Sequence, residues 1–361
     1  MRYRYRLLSS GLALLALLAP RSSPAFELHG FADVSYHHDI HDDAEPQENN
    51  GAFNLGPVDL YVAESLGPRL DVLTEIAIES GIVDLERLQI GYLFSDALKV
   101  SVGRFHTSLG YWNTAYHHGA FLHTTIQRPF FLHFEDEGGI LPVHTVGLLL
   151  SGRQFLGIGE ISYSALVGNG SSIIDEGTPL APVPVLDPNN EMDPNKNKAV
   201  GLHAAFAPAP LRGLTVGASA YNSRVLTEGT TLPALDVSQT ILGADLTFLD
   251  GRSELIAEYF LVRDKDKLGT TTTTNHLYYV QLSRQFAERV TPYARHEQMS
   301  LDEADPYMGV SGLGAIDKRI ETAGMRFRVG DQSVVKLEGR FITDDGLDSH
   351  QEYGAQWAFT F

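Results

Sequence analysis

Histidine and carboxylate side chains lie close together in the first part of the sequence. Ten of the fourteen histidines precede residue 145. Imidazole with carboxylate is the donor set that zinc, copper and nickel prefer. The histidines that would hold such an ion are His37, His38, His41, His117 and His118. The pattern indicates a site that collects a divalent metal, on condition that side chains distant in sequence converge. Ordinary polar loop composition explains the same residues without a metal.

The composition excludes several other kinds of chemistry. The chain of 361 residues contains no cysteine, which excludes disulfide scaffolds, thiol catalysis and cysteine-ligated metal centres. Its formal charge of −18 disfavours nucleic acid as a partner, because phosphates attract lysine and arginine. The sequence has no nucleophile elbow, zinc-protease motif, phosphate loop or dinucleotide fingerprint. We therefore predict no enzyme activity and no cofactor.

The first 25 residues have the composition of an export signal. Arg2, Arg4 and Arg6 precede an apolar run over residues 7–19, and small residues stand at the expected cleavage positions in 23–25. No later apolar run approaches the length of a membrane-spanning helix. We expect residues 1–25 to be removed and residues 26–361 to form one exported domain.

From residue 26 onwards the dominant pattern is a two-residue alternation of apolar and charged side chains. Ile76 follows Glu75, and Phe327 separates Arg326 from Arg328. This period places the two kinds of side chain on opposite faces of an extended strand. Sixteen such segments are predicted: 27–36, 53–65, 70–80, 83–94, 97–106, 141–151, 157–168, 198–207, 213–224, 237–249, 252–263, 275–287, 289–300, 317–329, 332–343 and 351–361.

The connections between these segments alternate between short and long, and the longest is 107–140. Tight turns on one side and long loops on the other are typical of a β-barrel that spans a membrane. In such a barrel the charged face lines water and the apolar face meets lipid. A soluble β-sandwich, the alternative, would bury charges such as Glu258 and Arg326 in its core. The pattern therefore favours an all-β transmembrane antiparallel barrel of about 16 strands.

Two features resemble the porins of Gram-negative outer membranes. The last segment alternates Tyr353, Trp357 and Phe359 up to Phe361, similar to the insertion signal that the barrel-assembly machinery reads. The layout resembles the sixteen-stranded porins, whose long third outer loop folds into the lumen as a constriction. Residues 107–140 occupy that place here. The resemblance implies an outer-membrane location, contact with outer-membrane lipid and lipopolysaccharide, and a homotrimer.

The third loop carries acids that would face basic residues across such a channel. Glu135, Asp136 and Glu137 follow a run of aromatic residues suited to packing on the barrel wall. Opposed charges across a narrow passage create a transverse field that orients polar solutes. Simple hydration of the lumen, or pairing among the charges, explains them equally well. The predicted lining residues of the wall are Arg87, Arg295, Arg326, Arg328, Lys336, Arg340, Glu75 and Glu258.

These observations predict a porin that passes small hydrophilic solutes and ions by diffusion. The acidic balance of the chain favours cations, and no ladder of lysines points to phosphate selectivity. Three alternatives remain open at this stage: a porin for divalent zinc uptake, a receptor or adhesin barrel without a channel, and a barrel hydrolase without a local motif.

Overall fold

A computed structural model gives the conformation of most of the chain. It describes residues 28–41, 51–79, 81–116, 119–132, 140–175, 184–186, 196–227, 232–308, 316–345 and 349–361. The predicted export signal, residues 1–25, lies outside the described residues. Helix in the described ranges is confined to α1 (Trp112–Ala115) and a 3-10 turn (Phe130–Leu132). Neither has the length and apolar composition needed to traverse a bilayer.

Sixteen antiparallel strands of the described residues close into a barrel. In chain order they are β1 His29–His41, β2 Ala52–Leu55 with Val58–Ser65, β3 Leu70–Glu79, β4 Ile82–Ser95, β5 Leu98–His106, β6 His144–Leu156, β7 Gly159–Gly168, β8 Ala199–Pro208, β9 Leu214–Thr227, β10 Asp236–Leu249, β11 Ser253–Asp266, β12 Thr272–Arg284, β13 Val290–Ser300, β14 Lys318–Gly330, β15 Ser333–Asp344 and β16 His350–Thr360. Each strand pairs with the next, and β16 returns to β1. The closed sheet leaves no free edge. The predicted fold class is confirmed, and each predicted segment overlaps one strand.

Two departures from a regular wall are the largest among the described residues. β2 is interrupted at Gly56 and Pro57, where a Cβ on Gly56 would lie 2.2 Å from Oδ1 of Asp33. Proline lacks the N–H that would continue the ladder. Between β7 and β8 a small outer hairpin, Ser172–Asp175 with Pro184–Leu186, adds two strands beyond the wall. We call the ends of the strands that carry the long connections the outer ends.

Alternate side chains face opposite sides of the wall, as the sequence predicts. On β15 and β16 the outward residues Leu337 and Trp357 are 49% and 55% exposed, whereas their neighbours Lys336 and Gln356 are 0% and 7% exposed. The outward face is apolar along most of each strand. This arrangement suits lipid outside and polar contacts inside.

The inward face of β9–β12 is apolar towards the outer ends, which the sequence analysis does not predict. Val225, Val237, Ile241, Phe260 and Val262 all point inward and are fully buried. They form one core with residues of four outer connections: Phe131, Leu132, Ile173, Leu232, Leu235, Tyr307 and Met308. The expectation of a charged inward face along every strand is therefore wrong here. Loops fold into the barrel and cover this apolar surface, so one side of the lumen is filled.

Candidate functional site: the lumen beside the third outer loop

The described parts of the third outer loop between β5 and β6, residues 107–116, 119–132 and 140–143, lie against the inner wall. Backbone amides of the loop donate hydrogen bonds to inward carboxylates on β11, β13 and β15. The donor and acceptor pairs are Tyr111 N to Glu258 Oε1 (2.5 Å), Phe130 N to Glu297 Oε2 (2.7 Å) and Ile126 N to Glu338 Oε2 (2.8 Å). Hydrogen bonds to an ionised acceptor are stronger than neutral ones. The wall glutamates therefore fix the position of the loop.

Two wall cations bind the carbonyl oxygens of the same loop. Arg295 Nη1 donates to Gln127 O at 2.8 Å, and its Nε donates to Glu297 Oε1 at 2.8 Å. Lys336 Nζ donates to Thr125 O at 2.7 Å. Both side chains are completely buried under the loop. The prediction that Arg295 and Lys336 line the open passage is wrong, because the loop covers both side chains and its carbonyl oxygens accept their hydrogen bonds.

Glu258 departs from its predicted role in the same way. It is 2% exposed and accepts a further hydrogen bond from Tyr279 Oη at 2.6 Å. Trp112 of the loop meets the ring of Tyr279 edge-on, with centroids 6.1 Å apart. Glu258 therefore anchors the loop instead of facing water. The aromatic residues of the loop pack on the wall, as their number in the sequence suggests.

The space that the loop leaves open lies in three neighbouring cavities of the described residues. An outer cavity of about 590 Å³ lies between the loop and strands β1, β15 and β16. An inner cavity of about 700 Å³ lies on the other side of the loop. A narrow cavity of about 160 Å³ shares Phe31 with the outer cavity and Arg87, His106 and Thr114 with the inner one. The shared lining residues place the narrow cavity between the outer and the inner one.

The narrow cavity has a mixed aromatic and charged lining. On the wall side Phe31 and Tyr61 stack with ring centroids 5.6 Å apart. Arg87 Nε donates to Oε2 of Glu75, which is 1% exposed. The remaining lining residues are His106, Thr114, Ala115 and Leu122. Glu75 and Arg87 thus border the narrow cavity as an ion pair with each other.

The outer cavity is lined by more acids than bases. Among the described residues, its carboxylates are Asp33, Asp39, Asp59, Glu79 and Glu352, and its permanent cations are Arg128, Lys318 and Arg340. Arg340 Nη1 donates to Oε2 of Glu352. Lys318 lies 4.6 Å from the ring centroid of Phe130 in the loop and 2.8 Å from Oδ1 of Asp344. Arg340 is the predicted lining cation that faces this cavity.

Comparison with known proteins gives a fold match. No protein-family model matches the sequence, and no curated protein matches it. Three similar solved structures are an anion-selective porin from Comamonas acidovorans (12% identity, TM-score 0.64, 93% of this chain and 99% of that chain covered), OmpT of Vibrio cholerae in a trimer form (11%, 0.61, 93% and 99%), and OmpF of Salmonella typhi in complex with daunomycin (13%, 0.60, 93% and 97%). The chain has the sixteen-stranded porin fold.

Two further predicted lining residues of this porin barrel are Arg326 and Arg328 on β14. Arg326 is half-buried: Nη2 donates to Phe121 O at 3.2 Å, and its guanidinium lies 5.7 Å from the Phe121 ring centroid. Arg328, two residues further along β14, is exposed. Arg326 therefore holds the loop, and Arg328 is available to water. The predicted acids Glu135, Asp136 and Glu137 lie outside the described residues.

Of the predicted metal ligands, the structure describes the side chains of His37 and His38, and these two do not come together. His37 faces the outer cavity, whereas His38 is the next residue of β1 and points to the opposite face. The side chain of His41, and residues His117 and His118, lie outside the described part of the chain. The described residues contain no group of three or more histidine, aspartate or glutamate side chains suited to a metal ion. An adjacent His-His pair on a strand cannot chelate one ion.

His123 of the third loop illustrates how deeply the loop is embedded. Burial, followed by the charges of Lys336 and Arg128, holds the pKa of this imidazole well below its usual range. Its Nδ1 lies 2.8 Å from Thr125 O, so this nitrogen carries the hydrogen. His123 is therefore a neutral structural group at physiological pH and adds no charge to the outer cavity.

The inner cavity contains a His–Asp pair that the sequence analysis overlooks. His203 Nε2 lies 2.9 Å from Asp245 Oδ2 across β9. Gly217 of β9 leaves room for this contact, because a Cβ there would lie 2.5 Å from both carboxylate oxygens of Asp245. The alternation on β8 and β10 is enough to place both side chains inward. The pairing register of β8, β9 and β10 is needed to show that His203 and Asp245 meet.

Proposed function

We propose that the chain is an outer-membrane channel for passive diffusion of small hydrophilic solutes. The proposal rests on the three neighbouring cavities, which suggest a polar route whose narrowest part lies between the third loop and strands β1–β4. The porin fold supports it, because barrels of sixteen strands are wide enough for an aqueous channel. The filled side of the lumen makes the route narrower than the barrel and displaces it towards β1–β4.

We further propose that the channel favours cations. Five carboxylates against three permanent cations line the outer cavity, and a positive solute entering there meets a net negative lining. The other wall arginines of β13 and β14 do not reverse this balance in the outer cavity, because Arg295 is buried, Arg326 is engaged with the loop, and Arg328 is not among the residues that line this cavity. The Comamonas porin of the same fold is anion-selective, so the preference must come from the lining and not from the fold.

Glu352→Gln is expected to shift the ion preference towards anions, because it removes one carboxylate and frees Arg340 from its ion pair. The measurement is the reversal potential of purified protein in a planar bilayer under a potassium chloride gradient. The shift is largest in dilute salt, since 0.1 M salt screens charges over about 10 Å. The matched control is Glu321→Gln, a carboxylate on the outward face of β14 that pairs with His296.

Two results would contradict this function. Folded protein that gives no stepwise current would exclude a channel and favour a receptor or adhesin barrel. A wild-type reversal potential of anionic sign, or an unchanged potential in Glu352→Gln, would exclude the proposed selectivity while leaving the channel intact.

We also propose a homotrimer as the assembled form, exported through the barrel-assembly machinery into a leaflet of lipopolysaccharide. The trimer form of Vibrio cholerae OmpT supports this proposal at the level of the fold. A native mass of three chains in mild detergent tests it, and a single-chain mass would contradict it.

A further inference from the structure

The outer connection after β13 folds back into the barrel. Residues 301–308 lead from Ser300 to Met308, and Tyr307 and Met308 are 1% and 0% exposed. Both belong to the apolar core that fills one side of the lumen. We call residues 301–308 the inner flap. Its only acid that is buried is Asp305, at 2% exposure.

Four donors surround the carboxyl group of Asp305. Its Oδ2 accepts hydrogen bonds from Thr273 Oγ1 at 2.5 Å and Asn275 Nδ2 at 2.7 Å, both on β12. Its Oδ1 accepts hydrogen bonds from the backbone amides of Tyr307 (2.9 Å) and Met308 (3.0 Å). Hydrogen bonds donated to a carboxylate stabilise the charged form. Asp305 therefore joins the inner flap to β12.

A second carboxyl group, that of Asp264, lies beside Asp305 in a different hydrogen-bonding environment. Asp264, at the outer end of β11, is 0% exposed, and neither of its carboxyl oxygens accepts a hydrogen bond from a described residue. Asp305 is close enough to share a hydrogen bond with it. Two buried carboxyl groups in contact cannot both be ionised without a compensating charge. Because Asp305 has four close donors and Asp264 has only the more distant amide of Gln239, Asp264 is the group that remains neutral.

The described neighbours of Asp264 can form hydrogen bonds with a neutral carboxyl group, but none of them is a cation that pairs with a carboxylate. Gln239 stands directly opposite on β10, and its buried Nε2 has no acceptor. Tyr307 from the flap and Tyr221 from β9 are the other titratable groups of the described residues near this cluster, and burial is the main cause that raises the pKa of Tyr307. No lysine, arginine or histidine of the described residues forms an ion pair with either acid. A divalent cation would find too few free oxygens here, since calcium takes six to eight.

We propose that Asp264 retains its proton at neutral pH and that this proton holds the inner flap on the barrel wall, as a pH-sensitive latch. The acid O–H of Asp264 donates to Asp305, and its second oxygen accepts from Gln239 Nε2 after a small side-chain rotation. One proton thereby satisfies three buried polar groups. The latch does not depend on the proposed channel function.

The pH dependence of the latch has a definite sign. When the flap leaves the wall, Asp264 meets water and titrates near pH 3.9, the value of an ordinary Asp, so release above about pH 4 is accompanied by loss of one proton. The ratio of released to latched flap then rises about tenfold for each unit of pH, until the latched Asp264 itself ionises. The latch is therefore tightest in acid and weakens as pH rises.

The absence of cysteine in the chain allows a direct measurement. Met308→Cys places a single thiol on the buried part of the flap, and Glu303→Cys places one on its exposed part. The labelling rate with a water-soluble maleimide is measured for both proteins in membranes between pH 5.5 and pH 8.5. We expect the ratio of the two rates, 308 to 303, to rise with pH by up to about tenfold per pH unit and to level off where the latched Asp264 ionises. The exposed thiol corrects for the intrinsic pH dependence of the reaction.

Two further variants decide the mechanism, each checked for a folded barrel by resistance to unheated detergent. Asp264→Asn keeps the hydrogen-bonding shape but has no proton to lose, so the ratio should stay low at every pH. Thr273→Val removes one donor from Asp305, so the ratio should be higher at every pH with an unchanged slope. A pH slope that persists in Asp264→Asn would overturn the proposal. A flat ratio in the parent protein, or a ratio raised by a calcium chelator, would overturn it too.

Discussion

Glu258→Ala is expected to free the first part of the third loop and to increase the single-channel conductance. The carboxylate accepts hydrogen bonds from Tyr111 N and Trp112 N of the loop and from Tyr279 Oη of the wall. Its removal leaves two loop amides without their acceptor, at a cost of about 3 kcal/mol in total. That cost shifts the balance between held and released loop by about a hundredfold. Planar-bilayer recording should show a larger and noisier open current.

Two controls make this result specific to the loop. Glu258→Gln retains an acceptor oxygen for one loop amide and should change the current much less. Glu321→Gln alters a carboxylate on the outward face and should leave the current unchanged. A folded Glu258→Ala barrel with the wild-type conductance and noise would show that this contact does not position the loop.

Phe131→Ala is expected to destabilise the filled side of the lumen by about 3–5 kcal/mol. Phe131 is 0% exposed and packs against Phe260 at 5.9 Å and Tyr279 at 6.0 Å between ring centroids. Alanine leaves a cavity in the core that the third loop shares with the other inward connections. The measurement is the thermal unfolding midpoint of the purified barrel, which should fall clearly below that of the wild type.

The neighbouring residue supplies the matched control. Phe130 is only partly buried and lines the outer cavity beside Lys318, so Phe130→Ala should cost much less stability. Equal destabilisation by the two substitutions would argue against a separate packed core in the lumen.

The barrel could be predicted from the sequence because its strands have a strict two-residue period. Ile76 and Glu75 are adjacent in a strand and therefore point to opposite faces, whichever strands lie beside them. The same alternation occurs in all sixteen predicted segments. The length of 107–140 likewise marked the loop that enters the lumen. Alternation and connection length can both be read from consecutive residues. Each strand pairs with the next one in the chain, so the order of the strands also follows from the sequence.

The partners of the inward side chains could not be predicted in the same way. Alternation places Lys336, Arg295 and Glu258 inward correctly, but it does not show that backbone groups of a loop more than one hundred residues away occupy them. It also fails on β9–β12, where Val237 and Ile241 face inward because loops bury them. The two-residue period does show that His37 and His38 cannot bind one metal ion together, because adjacent residues of a strand point to opposite faces.

The central claim is that solutes pass between the third loop and strands β1–β4. The most direct test is the single-channel current of Thr114→Cys, whose side chain is exposed on the loop side of the narrow cavity. Modification by a bulky water-soluble thiol reagent should abolish most of the current, because the narrow cavity of about 160 Å³ has no room for both the adduct and a hydrated ion. The same reagent should leave the current of Ala323→Cys, on the outward face of β14, unaffected. A labelled Thr114→Cys channel that conducts as before would contradict the proposed route.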